Sequence, residues 1–296
     1  MIERRQSILL PIAMALIGIG LLSLMDAYMK SASLLLGAYT ASLLRALMAF
    51  ALIAPVWLAG GGRWPAREVL KIHLLRGAVG SLMALSFFYA LTKLPLAETI
   101  AISFIAPVIS LYLAAAMLGE RIRREAVWGA VLGFAGTLVI VAGRLGGQGQ
   151  FNNDVLLGLA AITVSALLYA WNLVLQRRQA LVARPAEVTT FYMGTASLVY
   201  LLAAPWLFAA PAISDLSDVA ISAVLSVGGA ITMSWAYGRA EAQVLVPLEY
   251  SGFLWAALFG WLYFREAVTA ATLAGAALIV VGCWIATRVR PEQSAI

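Results

Sequence analysis

One passage of the chain is written twice. Glu120, Gly129-Ala130 and Gly136 return as Glu266, Gly275-Ala276 and Gly282, every match at an offset of 146. Both copies are almost wholly apolar, so whatever solvent one copy needs the other needs too. A long apolar chain built from two copies of about five hydrophobic segments is a known way to make a transporter, with the working site between the copies.

The solvent follows from composition. Mean hydropathy is +0.93, 63% of residues are hydrophobic and 11% are charged, against roughly 25% charged in soluble domains. Such a chain is a polytopic membrane protein. Windows of about 20 residues predict ten transmembrane helices near 8–29, 35–58, 70–92, 97–118, 124–143, 155–176, 187–208, 217–238, 243–264 and 267–287. The expected fold is all-α: a first module at 1–145, a joint at 146–154, a second module at 155–288 and a tail at 289–296. Gly146-Gly147-Gln148-Gly149-Gln150 and the polar residues after it mark the joint. Gly60-Gly61-Gly62 and Ala183-Arg184-Pro185 stand at matching places after the second and sixth segments, where breakers belong.

Orientation comes from counting positive charge. With the N-terminus inside, cytoplasmic regions hold fourteen Lys and Arg, among them Arg63, Arg67, Lys71, Arg177, Arg178 and Arg239, while Lys30, Lys93, Arg144 and Arg265 make four outside. The positive-inside rule then puts both termini in the cytoplasm and the joint outside, in the periplasm of a bacterial-type inner membrane. Five segments per copy is an odd number, so the second copy enters the membrane upside down relative to the first. Arg4 and Arg5 ahead of an apolar run resemble the start of a signal peptide, but the run is about 20 residues long and reads as a retained first helix.

Several function classes lose their basis. A net charge of +6 would suggest nucleic acid in a soluble chain; here it is spent on topology, and no nucleic-acid partner is expected. Cys283 is the only cysteine and His73 the only histidine, so no intrachain disulfide and no His/Cys metal centre can be assembled. None of the three lysines follows a glycine, which removes the ATP-binding loop, and G-x-S-x-G, H-E-x-x-H and G-x-G-x-x-G do not occur. The expectation is a non-enzyme with no metal and no cofactor.

The candidate residues are those that are costly in hydrocarbon. A charge at a helix centre costs roughly 2.5–3.5 kcal/mol on insertion scales and is a functional candidate by default. Asp26, Arg45, Arg76, Glu98 and Glu249 qualify. Arg45 lies too deep to snorkel. Arg76 and Glu249 lie at matching depth from the cytoplasmic side, so they are candidates for an inner ion pair that closes that mouth, or for a static buried pair. Asp26 and Glu98 lie near outer segment ends and read first as solvated. Pro107 and Pro247 interrupt segments four and nine, which are counterparts in the repeat, and paired irregular helices point to a transport site or to packing kinks. Tryptophans such as Trp57, Trp64, Trp206 and Trp284 sit at segment ends, as an interfacial belt requires. Deeper aromatics are the cavity candidates: Phe88 and Tyr89, Phe104, Tyr169 and Trp171, Trp235 and Tyr237, and Tyr250, Phe253 and Trp255. Gly129-x-x-x-Gly133 reads as small-residue helix packing, within the chain or across a homodimer.

The run Phe88-Tyr89-Ala90-Leu91, Leu94-Pro95-Leu96-Ala97-Glu98, Ala106-Pro107 and Leu118-Gly119-Glu120-Arg121 resembles the EamA module of the drug/metabolite transporter superfamily. The second copy repeats it as Pro247-Leu248-Glu249-Tyr250 through Gly260-Trp261 to Arg265-Glu266. The resemblance covers essentially the whole chain. It implies an inverted-repeat carrier whose central cavity is lined mainly by helices one, three, four, six, eight and nine, with five and ten packed behind. Members that it resembles include YddG-type amino-acid exporters, riboflavin importers and S-adenosylmethionine importers. The expectation is a secondary transporter in the lipid bilayer that exports amino acids, neutral and aromatic ones included, or related metabolites by alternating access; the alternative is import of a larger metabolite such as riboflavin or S-adenosylmethionine. One departure concerns the gates: the residue 146 positions after Pro107 is Phe253, not a proline.

Overall fold

The computed structural model describes residues 8–103, 105–119, 124–145, 153–265 and 270–287. Glu120, Arg121, Glu266, the glycine-rich stretch 146–150 and Phe104 lie outside the described residues, as do the side chains of Glu98, Pro107 and Cys283.

Where no water competes for backbone groups, a chain must satisfy them internally, and helices do so within one segment. Among the described residues the protein is helical throughout and has no strand. The helices are α1 (Leu9–Leu36), α2 (Ala38–Ala59), α3 (Arg67–Leu91), α4 (Leu96–Ser103), α5 (Ile105–Leu118), α6 (Arg124–Leu145), α7 (Asn153–Val182), α8 (Pro185–Leu207), α9 (Ser217–Tyr237), α10 (Ala242–Leu245), α11 (Gly252–Phe264) and α12 (Ala270–Thr287), with 3-10 turns at Ile213–Leu216 and Val246–Ser251. Six of these stretches are long and apolar enough to cross a membrane: Leu9–Leu36, Ala38–Ala59, Arg67–Leu91, Asn153–Val182, Pro185–Leu207 and Ile213–Tyr237. At 1.5 Å per residue even the shortest, α2, reaches about 33 Å, against a hydrocarbon core of about 30 Å.

Helix ends follow local chemistry. α1 runs seven residues beyond the expected end, through Lys30, because nothing from Lys30 to Leu36 breaks a helix. Gly37 does: it sits at φ +80° and is the sole residue between α1 and α2. Lys30 is therefore buried in α1 with its ammonium 4.9 Å from the Phe264 ring centroid, not in an outer loop. Pro185 opens α8 at the position where its missing N–H costs nothing. Pro247 lies in the 3-10 turn Val246–Ser251, which separates α10 from α11. α5 and α11 both end on a left-handed residue, Gly119 at φ +70° and Arg265 at φ +57°, and these two positions are 146 apart.

Packing is reciprocal. α6 lies against α12, α1 against α9, α3 against α7 and α2 against α8, while α5 touches α7 as α11 touches α1. The α6–α12 contact is close: a Cβ at Gly282 would stand 2.7 Å from the Gly129 carbonyl oxygen. Gly133 faces the Tyr250 ring. The small-residue face of α6 is thus used within the chain. Lys93 Nζ donates to Asp154 Oδ1 at 2.8 Å and ties the turn after α3 to the start of α7.

Candidate substrate cavity

A cavity of about 200 Å³ lies among these helices. α1 contributes Ser23 and Asp26, α2 Arg45, α3 Arg76 and Phe88, α7 Tyr169, Asn172 and Gln176, α8 Tyr192, and the turn before α11 Glu249. Among the described residues, none from α6 or α12 lines the wall. Residues of α2 and α8 do, which the family resemblance did not lead one to expect. The remainder of the lining is mostly apolar, including Leu22, Met25, Met83, Phe87, Leu173 and Met233, with the hydroxyl-bearing Ser103, Ser165 and Ser226 among them.

The polar groups sort by their partners. Arg76 is held by one face of α7: Nε donates to Asn172 Oδ1 at 3.3 Å, Nη2 to Gln176 Oε1 at 3.0 Å and Nη1 to Gln179 Oε1 at 2.6 Å. The three amides stand at i, i+4 and i+7, which is one face of a helix. The Tyr192 ring lies 4.6 Å from the guanidinium carbon. Glu249 accepts from Tyr169 Oη at 2.7 Å and from Tyr237 Oη at 3.2 Å. The ion pair between Arg76 and Glu249 that their matched depths suggested is not formed; each charge is satisfied by neutral donors or acceptors.

Below Arg76 the polar chain continues. Gln179 uses its oxygen for Arg76, so its Nε2 donates to His73 Nδ1. His73 must then carry its proton on Nε2, which lies 3.2 Å from Glu187 Oε1 at the start of α8. The imidazole is stacked on Phe191, centroids 4.8 Å apart. Gln179 and His73 are both 0% exposed, while Glu187 at the end of this chain is 20% exposed.

Arg45 is different. It is 5% exposed, its guanidinium carbon lies 5.4 Å from the Phe88 ring centroid, and its Nε is buried with no hydrogen-bond partner. Asp26, which the sequence placed at a solvated helix end, lines the same cavity.

Of the remaining sequence candidates, Tyr237, Tyr250 and Phe253 are fully buried in the core beside the cavity. Trp235 is half-buried with Arg239 4.0 Å from its ring centroid. Tyr89 and Trp171 are 38% and 37% exposed, on outer faces. Asn172, Gln176, Gln179, Tyr192 and His73 were not singled out as site residues, although three amides on one face of an apolar span are legible in the sequence.

An all-helical, multi-pass membrane protein with an internal cavity carrying charges of both signs belongs to the class of small-molecule transporters. The EamA-like transporter family model matches residues 9–142 and again 156–288, and the chain belongs to that family. Among curated relatives, it is 27% identical to the pseudopaline exporter CntI of Pseudomonas aeruginosa (strain UCBPP-PA14), over 90% of this chain and 92% of that one. It is 31% identical to the aromatic amino acid exporter YddG of Ancylobacter novellus, over 71% and 74%. It is 25% identical to a riboflavin transporter of Brucella anthropi, over 79% and 82%. A solved crystal structure matches with a TM-score of 0.73 at 26% identity, covering 93% of this chain and 96% of its own. These relatives point to transport rather than catalysis.

Proposed function

We propose that this protein is a secondary transporter that exports neutral and aromatic amino acids, or metabolites closely related to them, across a bacterial inner membrane. The observation that carries the reading is the cavity itself. Among the described residues two arginines and two carboxylates face a space that also carries Ser, Tyr, Asn and Gln groups and is otherwise walled by apolar side chains such as Leu22, Met25, Met83 and Phe87, which suits a zwitterion with an apolar side chain. A volume of about 200 Å³ is below the roughly 300–1,000 Å³ of sites for drug-sized ligands, which favours an amino acid over riboflavin or S-adenosylmethionine. The relatives named as exporters of pseudopaline and of aromatic amino acids support the same direction and class.

Alternating access would come from two inverted five-helix modules, 1–145 and 155–288, rocking about the cavity with both termini in the cytoplasm. The reciprocal packing of α1–α9 with α3–α7, the paired left-handed helix ends at Gly119 and Arg265, and the two family matches support this reading. Excretion tests it: cells overproducing the protein and fed a phenylalanine-containing dipeptide should release free phenylalanine faster than cells carrying an Arg45→Gln, Glu249→Gln double variant. Equal release from both would refute export of this class.

A further inference from the structure

We infer that Arg45 and Asp26, rather than Arg76 and Glu249, are the pair that reads the substrate, Arg45 taking its carboxylate and Asp26 its ammonium. The inference rests on the amino-acid reading above and adds which charges do the recognising.

Among the described residues four charges face the cavity, and their partners divide them. Each of the three Arg76 nitrogens already donates to an amide oxygen of α7, and the Tyr192 ring covers the guanidinium. Both Glu249 oxygens already accept from tyrosine hydroxyls. These two groups are held in place by the wall and serve to shape it. Arg45 and Asp26 also line the cavity, yet among the described residues neither makes a side-chain hydrogen bond or an ion pair. The guanidinium of Arg45 packs against Phe88 and feels the charge of the Asp26 carboxylate, with its Nε orphaned in a buried position.

A buried donor without a partner is costly, and a planar guanidinium presents paired N–H groups that match a carboxylate in two parallel bonds. A carboxylate arriving there satisfies groups that the fold leaves unsatisfied. Asp26 is on α1 and Arg45 on α2, consecutive helices joined through Gly37. The amino and carboxyl groups of one α-amino acid are adjacent on one carbon, so a single ligand can bridge the two side chains while its own side chain lies on Leu22, Met25 and Phe88.

The test is isothermal titration of the full chain in lipid nanodiscs with L-phenylalanine, L-phenylalaninamide and 3-phenylpropionate. The wild-type protein should prefer phenylalanine over its amide by about tenfold or more, the size of one hydrogen bond to a charged group, and over 3-phenylpropionate by a similar factor. Arg45→Gln should collapse the preference over the amide to within about threefold and leave the preference over 3-phenylpropionate. Asp26→Asn should do the converse. Arg45→Lys keeps the charge without the fork and should retain an intermediate preference, which keeps the test open if Arg45→Gln does not fold. Full preference over the amide in both Arg45 variants, or its disappearance only in Arg76→Gln, overturns the assignment. Folded wild-type protein that binds phenylalanine but does not distinguish it from its amide overturns the assignment alone. Wild-type protein that binds none of the three overturns the amino-acid reading and this inference with it.

Discussion

Gln179→Leu is the substitution whose cost is most directly fixed by the geometry. The Gln179 side chain uses both ends: its oxygen accepts from Arg76 Nη1 at 2.6 Å and its nitrogen donates to His73 Nδ1. Leucine has nearly the same size and no polar atom, so the packing survives and two buried groups lose their partner. Losing a hydrogen bond to a charged group costs about 1.5–3 kcal/mol, and leaving a neutral buried acceptor unsatisfied about 1–3 kcal/mol, for a total of about 2.5–6 kcal/mol. Gln179 and His73 are 0% exposed, so bulk water offers little compensation. Titration with sodium dodecyl sulfate in mixed micelles, followed by tryptophan fluorescence, measures the loss. A cycle with His73→Phe, which keeps the stack on Phe191, should be non-additive by about 1–2 kcal/mol, since the two residues share one bond. A loss below about 1 kcal/mol for Gln179→Leu, or strict additivity with His73→Phe, would mean that the layer is not held by this relay.

Other outcomes follow from the same structure. Gly80→Ala should destabilise by about 1–3 kcal/mol, because its Cβ would stand 2.4 Å from Tyr192 Cε2, whereas Gly228→Ala, with Leu21 Cδ1 at 3.5 Å, should stabilise by up to about 1 kcal/mol; the same titration separates the two signs. Tyr169→Phe should slow amino-acid exchange by about tenfold and more than Tyr237→Phe does, since Tyr169 makes the shorter bond to Glu249, 2.7 against 3.2 Å; equal exchange rates would show that the difference is without effect. In a Cys283→Ala background, Ser214→Cys should react with an impermeant maleimide in intact cells and Ala183→Cys only after permeabilisation; the reverse pattern would invert the proposed orientation.

The six long helices were legible because apolar runs of about 20 residues have few alternatives in lipid. The end of α1 was misplaced because Lys30 looked like an interfacial residue, while the breaker that matters is Gly37 with its positive φ. The charges were legible too, since a charge in hydrocarbon stands out. Their pairing was not: depth along a helix can be counted from sequence, but azimuth cannot when the helix is apolar all round. Phe88 and Tyr89 show this. Adjacent residues point about 100° apart on a helix, so both could not face one cavity, and nothing in α3's composition says which does; Phe88 lines it and Tyr89 faces outward. The same ignorance of azimuth joined Arg76 to Glu249 on paper, when α7 instead offers Arg76 a row of amides. That row, Asn172, Gln176 and Gln179, was the available signal for which face of α7 turns inward.

Counterflow tests the central claim most directly. Proteoliposomes containing the purified protein are loaded with unlabelled phenylalanine, diluted into labelled phenylalanine, and followed against liposomes loaded with riboflavin or with buffer alone. Transient accumulation of label driven by internal phenylalanine, and not by riboflavin, is the predicted result. Absence of accumulation with phenylalanine, together with counterflow of labelled riboflavin into riboflavin-loaded proteoliposomes, would contradict the account.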